Sequence, residues 1–180
     1  MPILRRKPPA EADAAVDRAR ALPGLAGPRG ARPEASSASQ AVSLPIYVMH
    51  PPGPEPLAAT ELGWRYVESA QPSPLEVWTA ADGRYEFAAA GTSRARARLE
   101  AALARATALA EADERTSELR LLVVSDAYLE LVWVHYTGDD ASDRLFLASR
   151  CPWLDRPAGQ PMSLAELNEL LVNMPGLWNP

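Results

Sequence analysis

Cysteine and lysine occur once each in these 180 residues, as Cys151 and Lys7. One thiol excludes an intramolecular disulfide framework and any CxxC-type zinc site. It fits a reducing compartment, and a soluble cytoplasmic protein is the expectation. Histidine occurs twice, at His50 and His135, which leaves few bases to activate that thiol. No apolar run is long enough to cross a bilayer. The N-terminal stretch MPILRRKPPAEADAAVDRARAL starts basic, but Glu11, Asp13 and Asp17 interrupt any signal-peptide core. The chain also lacks a glycine-rich phosphate loop, G-x-S-x-G, H-E-x-x-H and a dinucleotide fingerprint. Neither a cofactor nor a metal is therefore expected, and no catalytic residue is assigned.

Proline is plentiful and unevenly placed. Eleven of the 18 prolines lie in residues 1–63. Proline fixes φ and removes a hydrogen-bond donor, so residues 1–63 read as an extended Pro/Ala-rich arm. Two pieces of the arm can dock. Residues 10–22 place Ala12, Ala15, Val16, Ala19 and Leu22 at helical spacing, which predicts a short helix. Val42–His50 is an apolar extended run that Pro45 demotes to an edge strand or an extended peptide.

Residues 64–180 read as one compact domain. Leu75–Thr79 and Arg84–Ala89 flank Ala80-Ala81-Asp82-Gly83, a hairpin loop. Gly91-Thr92-Ser93 ends the second strand and caps a long helix from about Arg94 to Glu114. Leu99, Ala102, Leu103, Ala106, Leu109 and Ala110 form its apolar stripe, with Arg98, Arg105 and Glu111 away from it. A hairpin from Leu119 to Tyr136 follows, turning at Ser125-Asp126-Ala127, and then the strand Asp143–Ser149. Ser163 and Glu166 form a capping box, with Met162 and Leu167 as a hydrophobic staple, at the start of a final helix. The order β-β-α-β-β-β-α predicts an α+β domain: a curved antiparallel sheet of about five strands wrapped on one long helix.

The central hairpin carries apolar side chains on both faces. Leu129, Leu131, Trp133 and His135 alternate with Tyr128, Glu130, Val132, Val134 and Tyr136. A sheet with one wet face shows a polar residue at every second position, and this one does not. One helix layer covers one face. The other, carrying Tyr128, Val132, Val134 and Tyr136, is expected to meet a partner or the chain's own arm, with Ile46, Tyr47 and Val48 of the arm as further contacts; cover by the C-terminal helix, with no partner needed, is the alternative.

Other chemistry is sparse. Cys151 and His135 make a weak dyad at best, since a buried small thiol explains the cysteine. Asp139, Asp140 and Asp143 lack calcium-loop spacing and read as a polar hairpin loop. Residues 64–180 hold 11 arginines against 17 acids. That acidic balance argues against nucleic acid as a partner, despite Arg94, Arg96 and Arg98 at the start of the long helix. Trp153 and Trp178, each beside prolines, read as lids over a core edge. The reading is therefore a non-catalytic binding or assembly protein, docking through its arm and an apolar sheet face onto a larger complex or a second copy. One alternative is a small-ligand-binding protein or enzyme, with a pocket between sheet and long helix lined by Trp78, Phe87, Trp133 and His135. A further alternative is an inhibitor or chaperone of a specific protein.

Overall fold

The computed structural model describes residues 3–22, 42–49, 59–68, 74–90, 92–151, 154 and 159–174. His50, Trp153 and Trp178 lie outside them. In chain order the elements are β1 (Ile3–Leu4), α1 (Ala10–Arg20), β2 (Val42–Met49), β3 (Ala59–Val67), β4 (Leu75–Thr79), β5 (Tyr85–Ala90), α2 (Ser93–Ala112), β6 (Ser117–Val124), β7 (Leu129–Tyr136), β8 (Arg144–Leu147) and α3 (Leu164–Val172). The fold is α+β.

Local signals placed the helices. Thr92 caps α2 through its hydroxyl, which accepts from the Ala95 amide. Ser163 and Glu166 close the capping box of α3. On α1, Ala12, Ala15, Val16 and Ala19 are buried at the spacing of one helical face.

The sheet departs from the expected five antiparallel strands. It has eight, in the order β5-β4-β3-β2-β6-β7-β8, with β1 also pairing with β6. It is mixed, because both β1 and β2 run parallel to β6. Parallel neighbours need a crossover, and the path from β2 to β6 passes through α2. The expected edge strand β2 is thus central, between β3 and β6. Pro45 is tolerated there because pairing with β6 starts only at Ile46. At Pro45 only the β3 ladder runs alongside, so a missing N–H on the β6 side costs no bond. The sequence reading also passed over β3, whose residues Trp64 to Val67 are all buried. Residues 1–63 therefore supply β1, α1, β2 and much of β3 to the same sheet as residues 64–180.

Helices cover both faces. On one, Leu99, Ala102, Ala106 and Ala110 of α2 pack on Leu44, Ile46, Leu121, Val132 and Val134. On the other, Leu167 and Leu171 of α3 pack on Leu122, Leu129, Leu131, Trp133 and Leu145. On that same second face, toward β5, α1 sets Ala12, Ala15 and Val16 on Trp64, Tyr66, Leu75 and Val77. Small residues let α1 approach the Trp64 ring closely. No helix among the described residues is long and apolar enough to cross a membrane.

Tyr66 ties α1 to the sheet and gives a pH signature. Its hydroxyl donates to Asp13 at 2.9 Å. Burial, and then that bond to the Asp13 carboxylate, push the phenol far above its ordinary range near 10. The folded state thus holds the proton more tightly than the unfolded chain. The stabilisation is complete below pH about 10 and is lost as pH rises beyond it. Denaturant titrations from pH 8 to 11 should show stability falling at the alkaline end, with a shallower fall in Tyr66→Phe.

Candidate functional site

The hairpin face expected to meet a partner meets α2 instead. Val132 and Val134 are wholly buried and Tyr136 nearly so, all within the α2 core. The opposite face, with Leu129, Leu131 and Trp133, lies under α3. Residue parity showed correctly that both faces are covered, but it could not say which helix covers which. Ile46 and Val48 point into the α2 core, and Tyr47 points to the other face. Tyr128 alone of these seven is solvent-facing, 88% exposed.

The pocket expected between sheet and long helix is filled by Leu44, Ile46, Leu121 and Val132. Its lining residues stand apart. Phe87 packs on the α1 side beside Val77. Trp78 alternates with Val77, so it faces the other way and is 42% exposed. Trp133 is in the α3 core.

A polar strip crosses the second face among these aromatic residues. Arg6, just after β1, pairs with Glu61 at 2.7 Å, lies 3.6 Å from Glu118 and sits over the Trp64 ring. Its bond to Glu61 raises the guanidinium pKa further, against the opposing effect of partial burial. Arg120 bonds Glu118 and lies over both Tyr47 and Trp133, 4.6 and 4.9 Å from the ring centres. Burial pushes the Tyr47 phenol up, and Arg120 opposes that. These contacts lock the N-terminal segment onto the sheet, with cations over aromatic faces supplying part of the attraction.

At the end of the strip, Asp143 is fully buried and fully engaged. Its Oδ2 accepts from Trp133 Nε1 at 2.7 Å and lies 3.0 Å from His135 Nδ1; its Oδ1 accepts from the Tyr136 amide at 2.8 Å. A carboxylate on Nδ1 places that proton there and leaves Nε2 as the free acceptor. Asp140 lies 3.8 Å from the same Nδ1. His135, Asp140 and Asp143 bring donor atoms within 4.8 Å of one another, a nitrogen-and-oxygen set of the kind divalent transition ions take. Asp143 already serves three donors, so its first role is to orient His135 and the hairpin end. Cys151 packs against the α3 core.

A concavity of about 670 Å³ runs between α1 and β5. Ala15, Ala19, Leu22, Tyr85 and Phe87 give it an apolar floor, and Glu11, Arg18, Arg84 and Glu86 line it with charge. Leu22 is 48% exposed. Arg18 reaches across to donate to the Tyr85 carbonyl. The beginning of this groove was legible as the Ala12–Leu22 stripe. Its far wall was not, because nothing local says that α1 lies against β5, some 65 residues later. No family model, curated protein or solved structure matches the chain.

Proposed function

We propose that this chain is a non-catalytic binding and assembly protein, and that it docks onto a second copy of itself through the groove between α1 and β5. The observation that carries the reading is the groove itself. It is apolar on its floor, it lies at the sheet edge, and the N-terminal segment builds one wall. Among the described residues β5 has only β4 beside it, at the edge of the sheet. The charged groups favour a copy of the same surface. Two acids, Glu11 and Glu86, stand with two arginines, Arg18 and Arg84. A two-fold interface sets such a patch against itself, and a balanced patch of this kind is self-complementary. The reading keeps the arm as a docking element and moves the partner-facing surface from the hairpin to the sheet edge.

Light scattering on the full chain tests it. The expected mass is twice the 19.5 kDa of the chain. Phe87→Asp and Leu22→Glu, which place charge on the floor, should each give folded monomers. A wild-type monomer at about 100 μM, far above a micromolar Kd, overturns self-association, as does a dimer that both variants leave intact.

A further inference from the structure

Tyr128 breaks two local rules at once. Its backbone is left-handed, φ 51 and ψ 36, the only non-glycine residue with positive φ among those described. A bulky side chain is strained there, and glycine would not be. Its ring is 88% exposed, so burial does not offset the strain. The ring borders a pocket of about 360 Å³, within the range of small-ligand sites, at the turn between β6 and β7.

Two arginines from distant segments line the same pocket, Arg98 of α2 and Arg150 beyond β8. Among the described residues neither makes a hydrogen bond or ion pair, whereas Arg6, Arg20, Arg65, Arg96, Arg115 and Arg120 all do. Arg94 and Arg98 also sit i and i+4 on an exposed helix face, a repulsive spacing for like charges. Ser125 and Ser149 add hydroxyls. The Ser149 oxygen accepts from the Glu130 amide, which leaves its proton free to donate. Glu130 also lines the pocket, but its carboxylate is held from behind by both terminal nitrogens of Arg65. The uncompensated charge facing the pocket is positive.

We infer that this pocket binds a small phosphate monoester attached to an aromatic ring. Arg98, Arg150 and the serine hydroxyls take the phosphate oxygens, and the Tyr128 ring stacks on the ligand's ring. The acidic balance of residues 64–180 repels a long polyanion but not a compact dianion held by two guanidinium groups. This goes beyond the assembly reading and stands apart from it, because the pocket shares no residue with the α1–β5 groove.

Calorimetric titration of the full chain tests the inference with four probes: adenosine 5′-monophosphate, O-phosphotyrosine, adenosine and inorganic phosphate. At least one of the two monoesters should bind with Kd below about 1 mM, and its separate halves about tenfold more weakly or worse. Whichever monoester is preferred assigns the ring as a nucleobase or a phenol. Arg98→Ala and Arg150→Ala should each weaken binding at least about tenfold. Tyr128→Gly should bind the preferred monoester no better than inorganic phosphate, yet melt at the same temperature or higher, since it relieves the left-handed strain. A purely structural Tyr128 would show no such opposition between melting and binding. The inference is overturned if neither monoester binds at about 10 mM, or if binding persists unchanged in all three variants.

Discussion

Arg65→Met should destabilise the fold by about 3–5 kcal/mol, lowering Tm by roughly 6–20 °C for a chain of this size. Arg65, on β3, is only 5% exposed. Its guanidinium pairs with Glu76 on β4 and with Glu130 on β7, and Glu76 is itself 8% exposed. Burial alone would pull the guanidinium pKa down, but the bonds to Glu130 and Glu76 outweigh it and raise it. Removing the cation strands two acids on the sheet, one of them with little access to water. The cost comes from those orphaned charges and not from the intrinsic worth of the ion pair. Arg65→Met with Glu76→Leu should therefore recover at least half of the loss, because an apolar replacement for both partners leaves little charge buried. Urea denaturation of the three proteins checks this. An additive double variant, worse than either single change, would contradict the account of why the site is costly.

Gly63→Ala should cost about 3 kcal/mol, in the upper part of the overpacking range. An added Cβ would overlap the Val77 carbonyl oxygen and lie 2.8 Å from the Trp78 Cα. These are backbone atoms of β4, so no side chain can swing away to make room. Gly63 also stands where the β2–β3 register shifts, opposite Ile46, with Leu62 as the extra residue. One methyl group would push β4 and β5 away from β3 and carry the outer wall of the α1 groove with them. The variant should thus lose stability and weaken self-association together. Chemical denaturation and light scattering on the same sample check both effects, and unchanged values in both would contradict the close packing.

The elements whose signals are local were the legible ones. The α2 stripe, the capping box at Ser163 and Glu166, the β6–β7 hairpin and the β4–β5 hairpin each depend on residues a few positions apart. Long-range pairing was hidden. Val42–Met49 bonds in parallel to a strand more than 70 residues away, and Pro45 disguised it as an edge. β3 carries an arginine amid its apolar residues, which breaks the strand pattern; the partners that satisfy Arg65 lie 11 and 65 residues away. The hairpin showed that neither of its faces is wet, yet alternation gives parity and not direction. The face assigned to a partner was the one that α2 claims; the C-terminal helix was weighed as the alternative cover for that face, but it lies on the opposite one, where α1 joins it. Of the candidate site residues, Tyr128 emerges as exposed, and its left-handed backbone, unusual in a non-glycine residue, has no sequence signature.

Hydrogen exchange measured at several protein concentrations tests the central claim most directly, since α1 and β5 are proposed to form one docking surface. On going from dilute to concentrated protein, exchange in Ala10–Arg20 and Tyr85–Ala90 should slow together, while the amides of α3 stay unchanged. Phe87→Asp should abolish that concentration dependence without loosening α2. Exchange in both segments that is the same at every concentration would contradict docking at this edge of the sheet.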